Sequence, residues 1–288
     1  MFQKHPVRPY FYSIPKVHKS LVEPVPGRPI VSGTQSLTEP LSKYLDLHIK
    51  SLVSQLPSYV KDTTDFLNKL GTIEDLSESD FLCTMDVTSL YTNVPHKEGL
   101  EALTHFLNQR QILTPPTNFL VELSQMVLNK NYFKFENAYY LQCQGVSMGS
   151  PCSPNYANLF MGKFEADFVY SNNPYSMYIK CWYRFIDDIY FIFTGSGEQL
   201  EKFKLYINSR MPSISFTLEQ SRESVPFLDV RVQRDNNNLA TSVYRKPTDR
   251  NNFLHFTSYH PAGLKTSLPF SQLLRTKRIC SSESVFNR

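Results

Sequence analysis

Short runs of apolar, β-branched and aromatic residues alternate along this chain with segments whose apolar residues recur every three or four positions. The first pattern predicts strands and the second predicts helices. Residues 1–35 are rich in proline, which favours extended or turn structure. The order of elements indicates an α+β fold, in which helices cover one face of an antiparallel sheet. Helices are predicted over 36–56, 62–70, 97–108, 116–129, 198–209 and 270–279, a hairpin over 131–142, and strands over 214–219, 226–233 and 239–245.

Two adjacent carboxylates, Asp187 and Asp188, interrupt the apolar run from 184 to 193. The flanking residues predict two buried strands, with the Asp pair at the tip of a hairpin. Burial of ionised carboxylates side by side is costly unless a cation compensates them. The pair therefore indicates a divalent cation site, and the alternative is a solvated Asp-Asp turn.

A third carboxylate, Asp86, follows another short apolar strand that begins at Phe81. A polar turn and a helix come directly after it. Hard cations take oxygen ligands, and two ions about 3.5–4 Å apart can clamp the attacking and leaving oxygens of a phosphoryl transfer. A third carboxylate from a second strand end is what such a two-metal site requires.

Residues 144–154 form a loop with two glycines and two prolines that opens a helix. Glycines allow a ligand to approach the backbone closely, and a helix N-terminus favours anions. The loop matches neither the P-loop nor the dinucleotide-binding pattern. From the residues alone, a phosphate loop and a plain Gly-Pro connector both remain open.

In chain order, these three segments resemble motifs A, B and C of a reverse transcriptase palm, and those of Penelope-like retroelements in particular. The resemblance is carried by the strings DVTSLYTNVPH, QGVSMGSPCSPNYANLFMG and RFIDDIYFIF. Further matching strings flank them, and the resemblance extends over about residues 10 to 280. The flanking strings are RPIVSGTQSLTEPLS, LPSYVKDTTDFL, VPFLDVRV, VYRKPTDRNNFLHFTSYHP and LLRTKRICS.

The resemblance implies a right-hand polymerase with fingers, an antiparallel-sheet palm and a partial thumb. Fingers and N-terminal helices are expected over 1–79, the palm with inserted fingers elements over 80–245, and the start of the thumb over 246–288. Relatives in this family usually continue with further thumb helices and often a GIY-YIG nuclease domain. This sequence stops soon after the thumb begins, so the thumb is expected to be truncated, and no such nuclease signature is seen here.

The resemblance also implies a catalytic centre that holds two Mg²⁺ ions, with Mn²⁺ as the alternative ion. Asp86 and Asp187 are expected to bridge the two ions, and the Val87 carbonyl is expected to be a further ligand. Asp188 completes the negative field and is the less direct ligand in the family. The implied reaction is attack of a primer 3′-hydroxyl on the α-phosphate of a deoxynucleoside triphosphate.

Five residues are expected to bind the incoming nucleotide. Tyr91 occupies the position of the steric gate that excludes a ribose 2′-hydroxyl, with a core tyrosine as the alternative. Gln144 and Gly145 are expected to lie under the nascent base pair. Arg28 and Lys16 suit the triphosphate, because guanidinium and ammonium groups both bind phosphate; solvated loop charges are the alternative.

The net charge of +4 says little, but its distribution is informative. Residues 1–50 carry seven Lys and Arg against three Asp and Glu, and residues 244–288 carry eight against two. The middle of the chain is net acidic. Basic flanks suit contacts with a phosphate backbone, while central carboxylates suit metal ions. A solvated surface would give the same distribution.

The five cysteines show neither a C-x-x-C pair nor zinc-ligand spacing, which suggests reduced thiols in an intracellular protein. No apolar run approaches the roughly 18–20 residues needed to span a membrane, so no membrane partner is expected. The expected partners are an RNA template, a DNA primer and deoxynucleoside triphosphates. An active retroelement enzyme would work in the nucleus, although no targeting signal is seen.

Three other functions compete with a retrotransposon RNA-directed DNA polymerase. An RNA-templated RNA polymerase shares the paired Asp, but Tyr91 argues against it because ribonucleotide enzymes need that space open. A truncated or co-opted copy would bind nucleic acid without extending primers. A two-metal nuclease is disfavoured, since no general-base cluster accompanies the Asp triad.

Overall fold

The computed structural model describes residues 3, 5–16, 25–247, 249 and 253–282. The chain divides into two compact units, each built from three separate stretches of sequence. Unit 1 comprises the described residues of Met1–Tyr59, Val87–Ser176 and Lys202–Thr217, and unit 2 those of Val60–Asp86, Met177–Glu201 and Leu218–Arg288.

Helices and strands alternate irregularly along the chain. The strands are β1 (Tyr10–Pro15), β2 (Gly27–Ser32), β3 (Phe81–Val87), β4 (Tyr132–Phe135), β5 (Ala138–Leu141), β6 (Ile179–Phe185), β7 (Asp188–Phe193), β8 (Phe216–Ser221), β9 (Ser224–Phe227), β10 (Val230–Asp235) and β11 (Asn238–Val243). The helices are α1 (Glu39–Val53), α2 (Thr63–Leu70), α3 (Leu90–Asn93), α4 (His96–Asn108), α5 (Thr117–Asn129), α6 (Ser153–Phe168), α7 (Gly197–Asn208) and α8 (Ala262–Ile279), with a 3₁₀ turn at Ser176–Tyr178.

Unit 1 contains a four-stranded sheet of order β2-β1-β4-β5 and a group of helices around α6. The structure buries Ala157 and Phe160 of α6. Tyr156 and Leu159 are buried as well, because α1 and α4 both pack against this helix. The helix that follows the glycine loop is therefore a core element of its unit.

Unit 2 is built on a four-stranded sheet of order β6-β7-β3-β8 and a three-stranded sheet of order β11-β10-β9. Strand β7 is buried on both faces, since every residue from Ile189 to Phe193 is 0% exposed. Phe66 of α2 packs edge-on against Tyr190 of β7, with ring centroids 5.2 Å apart. The same ring packs against Phe227 of β9, with centroids 4.5 Å apart. This apolar cluster holds the strand that carries Asp188.

Most predicted elements are confirmed, including the hairpin around Glu136 and the two strands that flank the Asp pair. The prediction of one continuous strand over 226–233 was wrong. The chain reverses at Leu228 and Asp229, and Phe227 of β9 pairs with Val230 of β10. Leu228 has φ 55°, a left-handed conformation that allows this two-residue turn but that sequence patterns rarely reveal.

Two further boundaries and one pairing differ from the sequence prediction. The last helix begins at Ala262 and passes through Pro269, so it is longer than predicted. The strand expected over 214–219 starts at Phe216. Strands β1 and β4 pair in parallel, whereas the other strand pairs with a described register are antiparallel. Among the residues that the structure describes, no helix has the length and hydropathy that crossing a membrane requires.

Asp229 joins three elements of unit 2. Its carboxylate accepts hydrogen bonds from Thr63 Oγ1 of α2 at 2.5 Å and from Arg275 Nε of α8 at 2.9 Å. Burial alone would raise the pKa of Asp229, but these two donors outweigh it and the pKa lies below its usual value. Such a carboxylate stabilises the folded state above its unfolded pKa and loses that contribution as the pH falls through the lowered folded pKa.

We expect Asp229→Asn to lower the free energy of unfolding by about 1–2 kcal/mol at neutral pH, because charge-assisted hydrogen bonds are lost. Urea titrations at several pH values should show this difference shrinking as the pH falls below the unfolded pKa of Asp and through the lowered folded pKa of Asp229. Asp235→Asn, at the exposed β10–β11 turn, is the matched control and should change little. A deficit of constant size at every pH would contradict this account of Asp229.

Candidate active site

The three predicted catalytic carboxylates belong to unit 2. Asp187 lies in the turn between β6 and β7, and Asp188 is the first residue of β7. Asp86 of β3 is the register partner of Asp188 in the antiparallel pair β3–β7. Directly opposite residues of such a pair have Cβ atoms about 4.5–5.5 Å apart on one face. The structure therefore brings the strand-end Asp and the Asp pair together, as the sequence predicts.

The carboxylates repel one another. The pKa of Asp188 is raised to about 6, first because the side chain is largely buried and then because Asp187 and Asp86 are negatively charged. Lys246 opposes this shift but does not cancel it. A cation between the carboxylates would remove the repulsion, which is the electrostatic condition expected of a metal-binding site.

The turn that presents Asp187 has a strained backbone held by a buried arginine. Ile186 adopts φ 59°, which is unusual for a β-branched residue. Arg184 is 1% exposed, and its Nη1 donates to the carbonyl oxygen of Ile186 at 3.1 Å. The backbone carbonyl of Arg184 in turn accepts from the amide of Val60 at 2.9 Å. Arg184 thus positions the turn, a role that the sequence analysis missed.

The donor set fits a hard divalent cation in its chemistry. Carboxylate oxygens are preferred ligands of Mg²⁺, and the raised pKa of Asp188 marks a local excess of negative charge. Within the described part of the chain, however, no three His, Cys, Asp or Glu side chains stand in a ready-made metal-binding arrangement. The ligand roles of Asp86, Asp187 and the Val87 carbonyl therefore stay predictions.

Two of the predicted nucleotide-binding residues meet in unit 1. The backbone carbonyl of Tyr91, in the short helix α3, accepts a hydrogen bond from the amide of Val146 at 2.6 Å. Gly145 has φ 74° and lies directly against the same carbonyl. His96 Nε2 is 2.9 Å from the carbonyl oxygen of Gly145. The glycine loop and the residues that follow Asp86 are therefore in direct contact at Tyr91.

The basic candidates Lys16 and Arg28 lie on the β1–β2 hairpin of the same unit. Arg28 is exposed and pairs in register with Ile14, and the amide of Lys16 donates to the Pro26 carbonyl at 2.7 Å. Gln144 is exposed, and its backbone carbonyl accepts from Gln142 Nε2 at 2.9 Å. Their proposed contacts with a nucleotide stay predictions.

The glycine loop rests on the end of strand β2. Ser147 Oγ donates to the carbonyl of Val31 at 3.2 Å. A Cβ atom on Gly149 would overlap that same carbonyl oxygen, so only glycine allows this close approach. The loop thereby connects the strand that carries Arg28 with Tyr91, and three of the predicted binding segments form one assembly within unit 1.

Gly145→Ala is expected to destabilise the protein by about 2–4 kcal/mol and to displace the loop. A Cβ there would lie 2.5 Å from the Tyr91 carbonyl oxygen and 2.6 Å from that of Thr92, in a left-handed backbone conformation. Thermal and urea unfolding measure the loss. Gly71→Ala is the control, since its Cβ would meet nothing closer than 3.5 Å. Equal stability of the two variants would contradict the contact.

Several solved structures are similar to this chain in fold. A telomerase from Candida albicans, in complex with a TWJ fragment of telomeric RNA, aligns with a TM-score of 0.65 at 12% identity over 95% of this chain and 51% of its own. An apo telomerase from Candida tropicalis, truncated from its C-terminal domain, aligns with a TM-score of 0.57 at 13% identity. The alignment covers 83% of this chain and 56% of that telomerase. The BmCPV RNA-dependent RNA polymerase in its quiescent state aligns with a TM-score of 0.53 at 11% identity. The alignment covers 80% of this chain and 22% of that polymerase.

The fold is therefore that of a nucleic-acid polymerase, with mixed helices and antiparallel sheets as in telomerase. The sequence matches the family described as reverse transcriptase (RNA-dependent DNA polymerase) over residues 19–222, well over half of the 288 residues. This chain belongs to the reverse transcriptase family. It spans about half the length of the telomerases that it matches. Among curated proteins, no sequence matches it significantly.

A second family matches the C-terminal region. Residues 252–288 are similar to the family described as animal helix-turn-helix domain. The described part of this range contains α8, whose last residue Ile279 is buried in the core of unit 2. The resemblance to a reverse transcriptase places the start of a thumb in this region, and that assignment stays a prediction.

Proposed function

We propose that this chain is the RNA-directed DNA polymerase core of a Penelope-like retroelement and that it works by a two-metal mechanism. The observation that carries the proposal is the carboxylate cluster, with Asp86 opposite Asp188 and Asp187 in the adjoining turn, in a member of the reverse transcriptase family. The Penelope-like assignment is supported by the motif strings on both sides of this cluster.

The carboxylates would hold two Mg²⁺ ions, with Mn²⁺ as the alternative. Asp86, Asp187 and the Val87 carbonyl are the groups that would hold these ions. When bound, the ions would stabilise charge on the attacking and leaving oxygens of nucleotidyl transfer. Asp188 adds negative potential beside the ligands, and Arg184 keeps the turn in place through the Ile186 carbonyl.

The residues assembled in unit 1 would position the deoxynucleoside triphosphate. The Tyr91 ring excludes a 2′-hydroxyl, and its backbone is fixed by the bond from Val146. Gln144 and Gly145 lie under the nascent base pair, while Arg28 binds the triphosphate. Lys16, on the same hairpin, adds a second positive charge. Positioning and charge stabilisation of this kind account for most of the catalysis in phosphoryl transfer.

The partners of the reaction would be an RNA template and a DNA primer. The proposal of an RNA template is supported by the similarity in fold to a telomerase that was solved in complex with an RNA fragment. Fingers over 1–79, palm over 80–245 and thumb over 246–288 are the proposed subdivision. A retroelement enzyme of this type would act in the nucleus, where the chromosomal target of the copied DNA lies.

Primer extension tests the proposal. The purified chain is given a DNA primer annealed to an RNA template, all four deoxynucleotides and Mg²⁺, and extended products are resolved by length. We expect extension with Mg²⁺ or Mn²⁺ and none with EDTA. A folded protein that binds the primer-template but adds no nucleotide with either ion would contradict the proposed activity.

The second candidate is a copy that binds nucleic acid without polymerising. Under this alternative, the affinity for primer-template would be the same with and without Mg²⁺, and no nucleotide would be added. A primer-template affinity that rises with Mg²⁺ and falls back in Asp187→Asn would exclude the alternative.

A further inference from the structure

The sheet β2-β1-β4-β5 of unit 1 exposes a row of tyrosines on one of its faces. We call the set the tyrosine face, and it consists of Tyr10, Tyr12, Tyr132 and Tyr139. Their exposed fractions are 54%, 42%, 50% and 61%. Large aromatic side chains that are mostly exposed in a group mark an interaction surface rather than a core.

Strand register places these side chains on one side of the sheet. Tyr10 of β1 pairs with Lys134 of β4, and Lys134 pairs with Tyr139 of β5. Tyr12 lies two residues after Tyr10 and Tyr132 two before Lys134, so the period of two brings them to the same face. The rings of Tyr10 and Tyr12 are 5.8 Å apart.

The opposite face of the sheet has different chemistry. Phe11 packs against Phe133 and Phe135, with ring centroids 5.6 and 5.2 Å apart. Phe133 also stacks on Tyr140 at 5.7 Å. Three of these four rings lack a hydroxyl and pack on one another, although Phe135 and Tyr140 remain 41% and 47% exposed. The tyrosine face instead presents four polar-tipped rings to water.

Positive charge accompanies the tyrosine face. The Arg8 guanidinium donates to the hydroxyl of Tyr139 at 2.7 Å and lies 5.8 Å from the centre of its ring. Lys134 stands between Tyr10 and Tyr139, and Arg28 is the register partner of Ile14, two positions beyond Tyr12. Glu136, in the β4–β5 turn, is the acidic residue of this hairpin. The charge therefore complements a polyanion.

We propose that the tyrosine face binds unpaired nucleotides of a single-stranded RNA, with bases stacked on the tyrosine rings and phosphates held by Arg8 and Lys134. Every base offers a π-face when unpaired, whereas a duplex buries those faces between base pairs. Flat aromatic platforms with cations beside them therefore select single strands. This inference rests on the proposed function, because the bound RNA strand would be the unpaired part of the template.

Adjacent tyrosines on opposite faces of β5 provide a matched test. Tyr139→Ala removes a ring from the tyrosine face, and Tyr140→Ala removes one of similar exposure, 47%, from the other side. Fluorescence anisotropy with a labelled single-stranded RNA, without Mg²⁺ or nucleotides, gives the Kd. We expect about tenfold or greater weakening for Tyr139→Ala and less than about threefold for Tyr140→Ala. Tyr139→Phe should bind nearly as the parent does, since it keeps the ring.

The charges are tested by the salt dependence of the same binding. Lys134→Ala should lower the slope of log Kd against log salt by about 0.7, the value for one phosphate contact on a single strand. Lys130→Ala, which removes an exposed lysine at the end of α5, is the control and should leave the slope unchanged. A blunt RNA duplex should show no difference between the Tyr139 and Tyr140 variants.

Unchanged RNA affinity in both Tyr139→Ala and Tyr10→Ala would overturn the inference, and a surface for a protein partner would then be the better explanation. Circular dichroism checks folding, and Tyr139→Leu replaces Tyr139→Ala if that variant does not fold, because it keeps apolar bulk without a ring. The assay contains no reaction, so its outcome is independent of primer extension. If the chain extends primers but these tyrosines do not affect RNA binding, only the inference is contradicted. If RNA binding depends on the tyrosines but no primer is extended, only the proposed function is contradicted.

Discussion

Asp187→Asn is expected to reduce primer extension by at least about 10³-fold while the protein stays folded. The substitution keeps the size of the side chain but removes a charge at the turn between β6 and β7 that is proposed to hold metal. Because Asp187 also raises the pKa of Asp188, its removal relieves repulsion. Thermal stability without metal should therefore be unchanged or slightly higher.

The measurement is the rate of single-nucleotide addition at saturating primer-template, with the melting temperature recorded beside it. Asp235→Asn is the control for a general effect of lost charge, since it lies at the exposed β10–β11 turn. Addition by Asp187→Asn within about tenfold of the parent rate would mean that this carboxylate holds no catalytic ion.

Tyr91→Ala is expected to raise the use of ribonucleotides relative to deoxynucleotides by about 100-fold. The ring of Tyr91 is proposed to occupy the space of the ribose 2′-hydroxyl, and its backbone is fixed by the hydrogen bond from the Val146 amide. Because that bond involves only the backbone carbonyl of residue 91, the substitution should leave the loop in place. The preference for deoxynucleotides should then decrease mainly because ribonucleotides are incorporated faster.

Competition between a ribonucleotide and its deoxynucleotide during single addition measures this ratio. Tyr91→Phe keeps the ring and should keep deoxynucleotide selection, so it separates the steric effect from that of the hydroxyl. If Tyr91→Ala selects deoxynucleotides as strongly as the parent does, Tyr91 is a packing residue and another group sets sugar preference.

The carboxylate cluster was predictable from sequence because its chemistry is local. An Asp pair between two apolar strands can lie only at a hairpin tip, and β7 is indeed buried along its length after Asp188. The register that sets Asp86 opposite Asp188 joins residues far apart in the chain. That pairing follows from the resemblance to a palm and not from periodicity alone.

Other parts of the site depend on tertiary contacts that leave weak marks in the sequence. Arg184 appears as one polar residue in an apolar strand, and only the structure shows its side chain on the Ile186 carbonyl. The reversal at Leu228 uses a left-handed leucine in place of Gly or Asn, so no turn was predicted. The parallel pairing of β1 with β4 brings together strands separated by most of unit 1.

The most direct test of the central claim is whether nucleotide addition follows an RNA template. Four primer-template pairs differ only in the first unpaired RNA base, and each is incubated with one deoxynucleotide at a time and Mg²⁺. We predict addition of the complementary deoxynucleotide on each template and loss of all four additions in Asp187→Asn. Addition that ignores the template base, or no addition by a protein that binds all four pairs, would contradict an RNA-directed DNA polymerase.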